Sequence, residues 1–208
     1  MLALYGKHPA KGDFIESGLG ALKPAVEGWL DTVLADARQS LAEAWEPTWA
    51  TATPLRFWIG ETIWGEAVAG VLIPSADAVG RRFPLLILGT GADCPTAPIL
   101  NPNQDWHDAV AARLHETQAA PAIAPGVLDG IAPPEHSQTT GPVDFWAATP
   151  GQDLAALLAD IALTDHSRAA MGRSYWWTAD RFSQVWAGQG LPSGHVLAWF
   201  LRGYQQNG

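Results

Sequence analysis

Between Leu55 and Thr90 the chain carries three apolar runs in close succession, LRFWIG, EAVAGVLIPS and PLLILGT. This stretch limits the fold more than any other. A strand with one wet face alternates apolar and polar residues, whereas the second and third runs stay apolar on both faces. Such strands need cover above and below, so a sheet held between layers is expected.

Helical patterns supply the cover. From Pro24 to Trp45, apolar residues recur at Val26, Trp29, Leu30, Val33, Leu34, Ala37, Leu41 and Trp45, with Glu27, Asp31, Asp36 and Arg38 between them. Steps of three and four predict an amphipathic helix. A second helix is expected from about Pro102 to Gln118, with Trp106, Val110 and Leu114 on one stripe and Asn101 or Asn103 able to cap it. GQDLAALLADIAL, Gly151 to Leu163, reads as a third. The residues around Pro47 to Pro54 read as a turn, SYWWT as a strand, and GHVLAWFLRG as either strand or helix. Ala119 to Pro142 is rich in proline and holds no sustained period, so it reads as a loop excursion. The fold class expected is α/β: a layered α/β/α domain with a central mixed sheet and helices packed on both faces, all of residues 1–208 forming one domain.

Charge narrows the choice of partner. A formal charge of −9 argues against a nucleic-acid backbone or an anionic membrane, both of which select for clustered Lys and Arg. The lysines nevertheless gather at one end, as Lys7, Lys11 and Lys23. Cys94 is the single cysteine, which rules out an intramolecular disulfide and fits a reducing cytoplasm. The apolar run before Gly6 is short for a leader, and no run approaches the length of a membrane span, so a cytoplasmic protein without direct membrane insertion is expected.

The decapeptide YGKHPAKGDF, Tyr5 to Phe14, has the glycines and lysines of a phosphate loop without its order. A phosphate loop needs Gly-x-x-x-x-Gly-Lys followed by Ser or Thr, because backbone amides wrap the phosphates and a hydroxyl reaches magnesium. Here Lys11 precedes Gly12, and Asp13 puts a carboxylate where phosphate oxygens belong. A folded turn suits the residues better, with Pro9 fixing one φ, Gly12 accepting an unusual one and Asp13 placed to cap the next element.

The hydrolase patterns are also incomplete. GLPSG spaces Ser193 differently from a nucleophile elbow, and His195 beside it does not make a triad. Cys94 fits a small buried hydrophobe as well as a nucleophile. His107 and His115 stand eight apart on the second helix, too far to share a metal ion, and Asp105 and Asp108 suit the positive end of that helix. No catalytic residue, metal or cofactor is expected.

SADAVGRRFPL is different, because Asp77, Arg81 and Arg82 are squeezed into a connection between two buried strands. Asp77 and Arg81 either pair with one another or stand outward as a recognition loop. In SYWWT, Trp176 and Trp177 point to opposite faces of a strand, so one ring belongs to the core and the other is open to a partner.

The ordered set of Gly6-Lys7-x-Pro9-x-x-Gly12-Asp13-Phe14, a Trp-bearing helix, AGVLIPSADAVGRRFPL and then SYWWT resembles the TagF family of type VI secretion-associated proteins. The resemblance implies a bacterial cytoplasmic accessory protein that restrains the secretion apparatus after translation by binding its forkhead-associated scaffold protein. It carries over no catalytic residue and no list of binding residues. The partner-binding surface expected from exposed charge and aromatics is Lys7, Lys11, Asp13, Asp77, Arg81, Trp176 and Trp177 near one face. The competing readings are a small hydrolase or phosphate-handling enzyme using Ser193 and His195 or Lys7, and a structural assembly component of the machine. Oligomeric state is left open.

Overall fold

The three apolar runs form neighbouring strands at the centre of a seven-stranded sheet. In chain order the strands are β1 (Leu2–Gly6), β2 (Ile15–Ser17), β3 (Leu55–Ile59), β4 (Val68–Ile73), β5 (Leu85–Thr90), β6 (Arg173–Trp177) and β7 (Val185–Gln189). Their spatial order is β2-β1-β5-β4-β3-β6-β7. The computed structural model describes residues 1–136, 170–179 and 183–203. The helix expected over Gly151 to Leu163 and the last residues of the Ala119 to Pro142 stretch lie outside these.

Every residue of β3, β4 and β5 is buried, as double-sided cover requires. Among the described residues the helices are α1 (Lys23–Leu41), α2 (Trp45–Thr51), the single turn α3 (Glu61–Trp64), α4 (Asp105–Ala119) and α5 (Gly194–Arg202). On one face, α1 packs along α5 and α2 adjoins it. Here Val26, Leu30, Val33, Ala37 and Leu41 meet Phe57, Leu72, Leu86 and Leu88 of the sheet. On the other face α4 lies across β4 and β5, with Val110 and Leu114 against Val71, Ile73, Leu85 and Ile87. The α/β/α layering expected from the sequence is therefore present.

Three sequence expectations change in detail. Pairing between the described strands is antiparallel throughout, so the sheet is not mixed. The links from β3 to β4 and from β4 to β5 are shorter than the dozen or more residues a parallel crossover needs. The first helix stops at Leu41, where Ala42 adopts φ 46°, and a new helix starts at Trp45. Pro47 sits in the first turn of that helix, where its missing N–H leaves no bond unmade, so Pro47 to Thr51 are helical and only Ala52 to Pro54 remain a connection. GHVLAWFLRG is helical, and its spacing puts Leu197, Ala198 and Leu201 into the core.

Both tryptophans of SYWWT are interior. Trp176 is wholly buried on the α1 side, its ring 4.9 Å from those of Phe57 and Trp29. Trp177 is buried on the α4 side, where its Nε1 donates to Gln104 Oε1 at 2.8 Å. Their side chains do point to opposite faces, but β6 pairs with β3 and β7, and both of its faces are covered. Neither ring is open to a partner.

Under α4, the Gln104 amide oxygen also accepts from Arg56 Nη1 at 3.1 Å, and Arg56 Nη2 donates to Asp108 at 2.6 Å. His107 lies beside them with its ring 4.9 Å from that of Trp177. Neither ring nitrogen makes a well-formed hydrogen bond, the Phe57 backbone offering only a weak one. Burial, reinforced by the Arg56 charge, pushes the His107 pKa down to about 4. An unfolded histidine titrates near 6.5, so the unfolded chain takes up a proton between these values while the folded chain does not. Stability then falls as pH drops from about 6.5 towards 4, by up to about 3 kcal/mol from this group. Denaturant titrations across this range are expected to show a shallower fall for His107→Leu than for the parent chain.

Candidate interaction surface

The sharpest concentration of buried charge lies where β1 runs into the loop before β2. Gly6 ends β1 with φ 130°, and a Cβ there would overlap the carbonyl oxygen of Pro84. Glycine is thus required at residue 6, and Gly12, expected to take the unusual φ, does not adopt a positive one. Beyond Gly6, Lys7 N–H donates to Pro84 O at 3.2 Å. The chain then turns over Pro9, with Lys11 N–H donating to His8 O at 2.9 Å. Proline at the second position of that turn supplies the φ it needs.

His8 has no exposed surface and holds the turn from both ring nitrogens. Its Nδ1 accepts from Ala10 N–H at 3.0 Å, which leaves Nε2 to donate to Thr117 O at 2.7 Å. The second bond ties the loop to the last turn of α4.

The loop between β4 and β5 closes against this turn. Asp77 N–H donates to Arg81 O, Gly80 N–H donates to Asp77 O, and Ala76 bridges Arg82, giving a small hairpin tip. The Asp77 side chain is completely enclosed. Its Oδ1 accepts from Val79 N–H at 3.1 Å and Arg81 N–H at 2.9 Å, and its Oδ2 from Lys7 Nζ at 2.7 Å and Arg81 Nε at 2.6 Å. Burial by itself would raise the carboxyl pKa. The Lys7 bond and those from Arg81 and Val79 outweigh it, and Asp77 stays well below the usual carboxylate range. The ion pair and the exposed loop are therefore not alternatives: Asp77 is buried and paired, while the Arg81 side chain remains largely in solvent.

Two further bonds fuse the loops. Ala78 N–H donates to Lys11 O at 2.9 Å and Arg81 Nη2 donates to Gly12 O at 2.7 Å. Phe14 stacks on Tyr5 at 5.5 Å, meets Phe83 edge-on at 4.8 Å and lies 5.0 Å from Lys7 Nζ. It is nonetheless 47% exposed, and Val79 at the hairpin tip is 73% exposed. Arg82 Nε reaches Glu46 of α2 at 2.8 Å, bracing the hairpin from the face opposite α4.

Of the residues expected to form a binding surface, Lys7, Lys11, Asp13, Asp77 and Arg81 come together here. Lys7 and Asp77 form the buried support, while Lys11, Asp13 and Arg81 are exposed. Trp176 and Trp177 take no part, being interior on β6. Phe14 and Val79 complete the surface, and His8 supports it from below. Phe14 belongs to the motif, but its exposure depends on how Tyr5 and Phe83 pack beneath it, which no sequence pattern shows.

The residues considered for chemistry are placed elsewhere. Lys7 is committed to Asp77. His195 Nδ1 is 3.0 Å from Ser40 Oγ on α1, and Ser193 precedes the first residue of α5. Cys94 is buried, which pushes its thiol pKa up to about 12, far from thiolate reactivity at neutral pH. Among the described residues no three His, Cys, Asp or Glu side chains converge as a metal site. No helix among them is long and apolar enough to cross a membrane.

Comparison with known proteins agrees with the motif. The family described as the TagF N-terminal domain, type VI secretion system-associated, matches residues 3–127. The crystal structure of PA0076 from Pseudomonas aeruginosa PAO1 is similar at 28% identity with a TM-score of 0.73, the match covering 99% of this chain and 96% of that one. No curated protein matches the chain.

Replacing Asp77 by Asn leaves Lys7 buried without its counter-charge and lowers the melting temperature at neutral pH by several degrees. Because the folded carboxyl is depressed, its stabilisation is fully present above the unfolded value of about 4 and is lost as pH falls below that towards the folded one. Melting curves of Asp77→Asn and the parent chain should differ equally from pH 5 to 7 and draw together below about pH 4.

Proposed function

The chain belongs to the TagF family of type VI secretion system-associated proteins, and from that membership we propose that it restrains the apparatus after translation by binding its forkhead-associated scaffold protein. The observation that carries the binding reading is the fused two-loop surface. Its exposed groups include Phe14 and Arg81, an aromatic and an arginine of the kinds that anchor protein interfaces, with Val79 and Lys11 beside them in the two loops. The support beneath them is the buried Lys7–Asp77 pair, with four donors on the carboxylate, which holds a loop in one shape before any partner arrives.

An enzymatic reading draws less support from the same structure. Lys7, the residue a phosphate site would use, lies under the surface against Asp77, and His195 is bonded to Ser40. A scaffold-binding protein that restrains secretion and a component required for assembly differ in what its removal does.

Deletion of the gene in its own host, with secreted substrate measured by immunoblot, is expected to raise secretion. A loss of secretion would instead identify an assembly component. Purified protein is expected to retain the purified scaffold on a column, and Lys11→Glu combined with Arg81→Glu should weaken that binding by about tenfold or more, with the fold monitored by circular dichroism.

A further inference from the structure

Arg81 is held in an unusual way for an exposed arginine. Its Nε is fixed by the buried Asp77 carboxylate and one Nη2 hydrogen by Gly12 O. The other N–H groups of the fork have no partner among the described residues, and the side chain is 63% exposed. The rotamer entropy an arginine ordinarily loses on binding has been lost on folding, and the free edge of the fork keeps the geometry that accepts a carboxylate through two parallel bonds.

The charge around it is over-compensated. Asp77 offers one negative charge to two cations, the buried Lys7 and the exposed Arg81, so the cluster is positive overall. Lys11, which is exposed, has no side-chain partner among the described residues and adds another positive charge. Asp13 and the Glu46 that meets Arg82 offset part of this. The surface is nonetheless cationic on a chain of net charge −9. Val79, two residues before the arginine, and Phe14, two residues beyond the Gly12 that Arg81 binds, add exposed apolar area.

We propose that this surface recognises an acidic segment of the partner protein, a carboxylate seated on the Arg81 fork, a second near Lys11, and an apolar side chain against Phe14 and Val79. The inference rests on the surface being the partner-binding one. Charge complementarity gives the segment its register and speeds its capture, and the apolar contact holds it.

The probe is a short synthetic peptide repeating Glu-Glu-Leu, added to the isotopically labelled full chain and followed by amide chemical shifts. Counterparts carry Gln for Glu, Lys for Glu, or phosphothreonine within the Gln repeat. Shifts confined to Ala10–Phe14 and Ala78–Phe83, seen with the Glu peptide alone and weakened by added salt, are expected. Arg81→Lys keeps the charge, loses the fork and should weaken the Glu peptide by about tenfold, as should Lys11→Glu. No shifts, shifts elsewhere, equal binding of the Gln peptide, or binding of the phosphothreonine peptide alone would each overturn the proposal. If the scaffold binds the parent chain and both variants equally, this inference fails and the restraint reading stands. If the Glu peptide binds as described but deletion does not raise secretion, the restraint reading fails alone.

Discussion

The structure turns on a single enclosed carboxylate. Asp77 sits where two loops from the same end of the sheet must meet, and four donors converge on it, two from backbone and two from cationic side chains. A buried carboxylate with any of these missing would be costly, so the site is satisfied only when the hairpin tip, the end of β1 and Lys7 are all in place together. That requirement couples residues far apart in sequence. Lys7 and Asp77 are separated by the whole of α1, α2, β3 and β4, and their bond closes only if β1 pairs with β5 in the observed register.

The two covering layers do not by themselves set that register. β5 and β4 are apolar on both sides, so a slip of one residue would exchange the sets of side chains facing α1 and α4 without leaving either polar. Burial alone does not choose between those arrangements. Gly6, which alone can approach Pro84, and the hydrogen bond from Lys7 N–H to the same carbonyl discriminate where hydrophobicity does not.

Much of this is legible in the sequence, for physical reasons. The apolar runs at 55–90 announce a covered sheet because their pattern has only one stable surrounding, and the stepping of Val26 to Leu41 announces α1. β7 is not legible: VWAGQ is short, at the sheet edge and only partly covered, so it carries no strong period. β1 shows only as a short apolar run, and β2, only three residues long, leaves no signal of its own. The break at Ala42 escapes because nothing in the local pattern marks it, whereas the antiparallel sense of β3, β4 and β5 is within reach of the sequence, since links that short cannot cross over. In the loops, charge and glycine mark Lys7, Lys11, Asp77 and Arg81 as a group, since charges between buried strands need partners. Which of them are hidden cannot be read, because exposure follows from how the two loops lean together. The tryptophans mislead for the opposite reason, as aromatic content in a strand is equally compatible with a contact face and with a core.

The bracing of the two loops has a kinetic consequence. His8 fastens one side to α4 and Arg82 the other to α2, so the loops are pinned to both outer layers of the domain. Under the binding proposed above, an arriving segment would meet a finished mould, and its lifetime there would be set by how fast the contacts let go, not by how often the surface happens to be open. Release would then be hastened by ionic competition or by modification of that segment, without any rearrangement of the layers that held it.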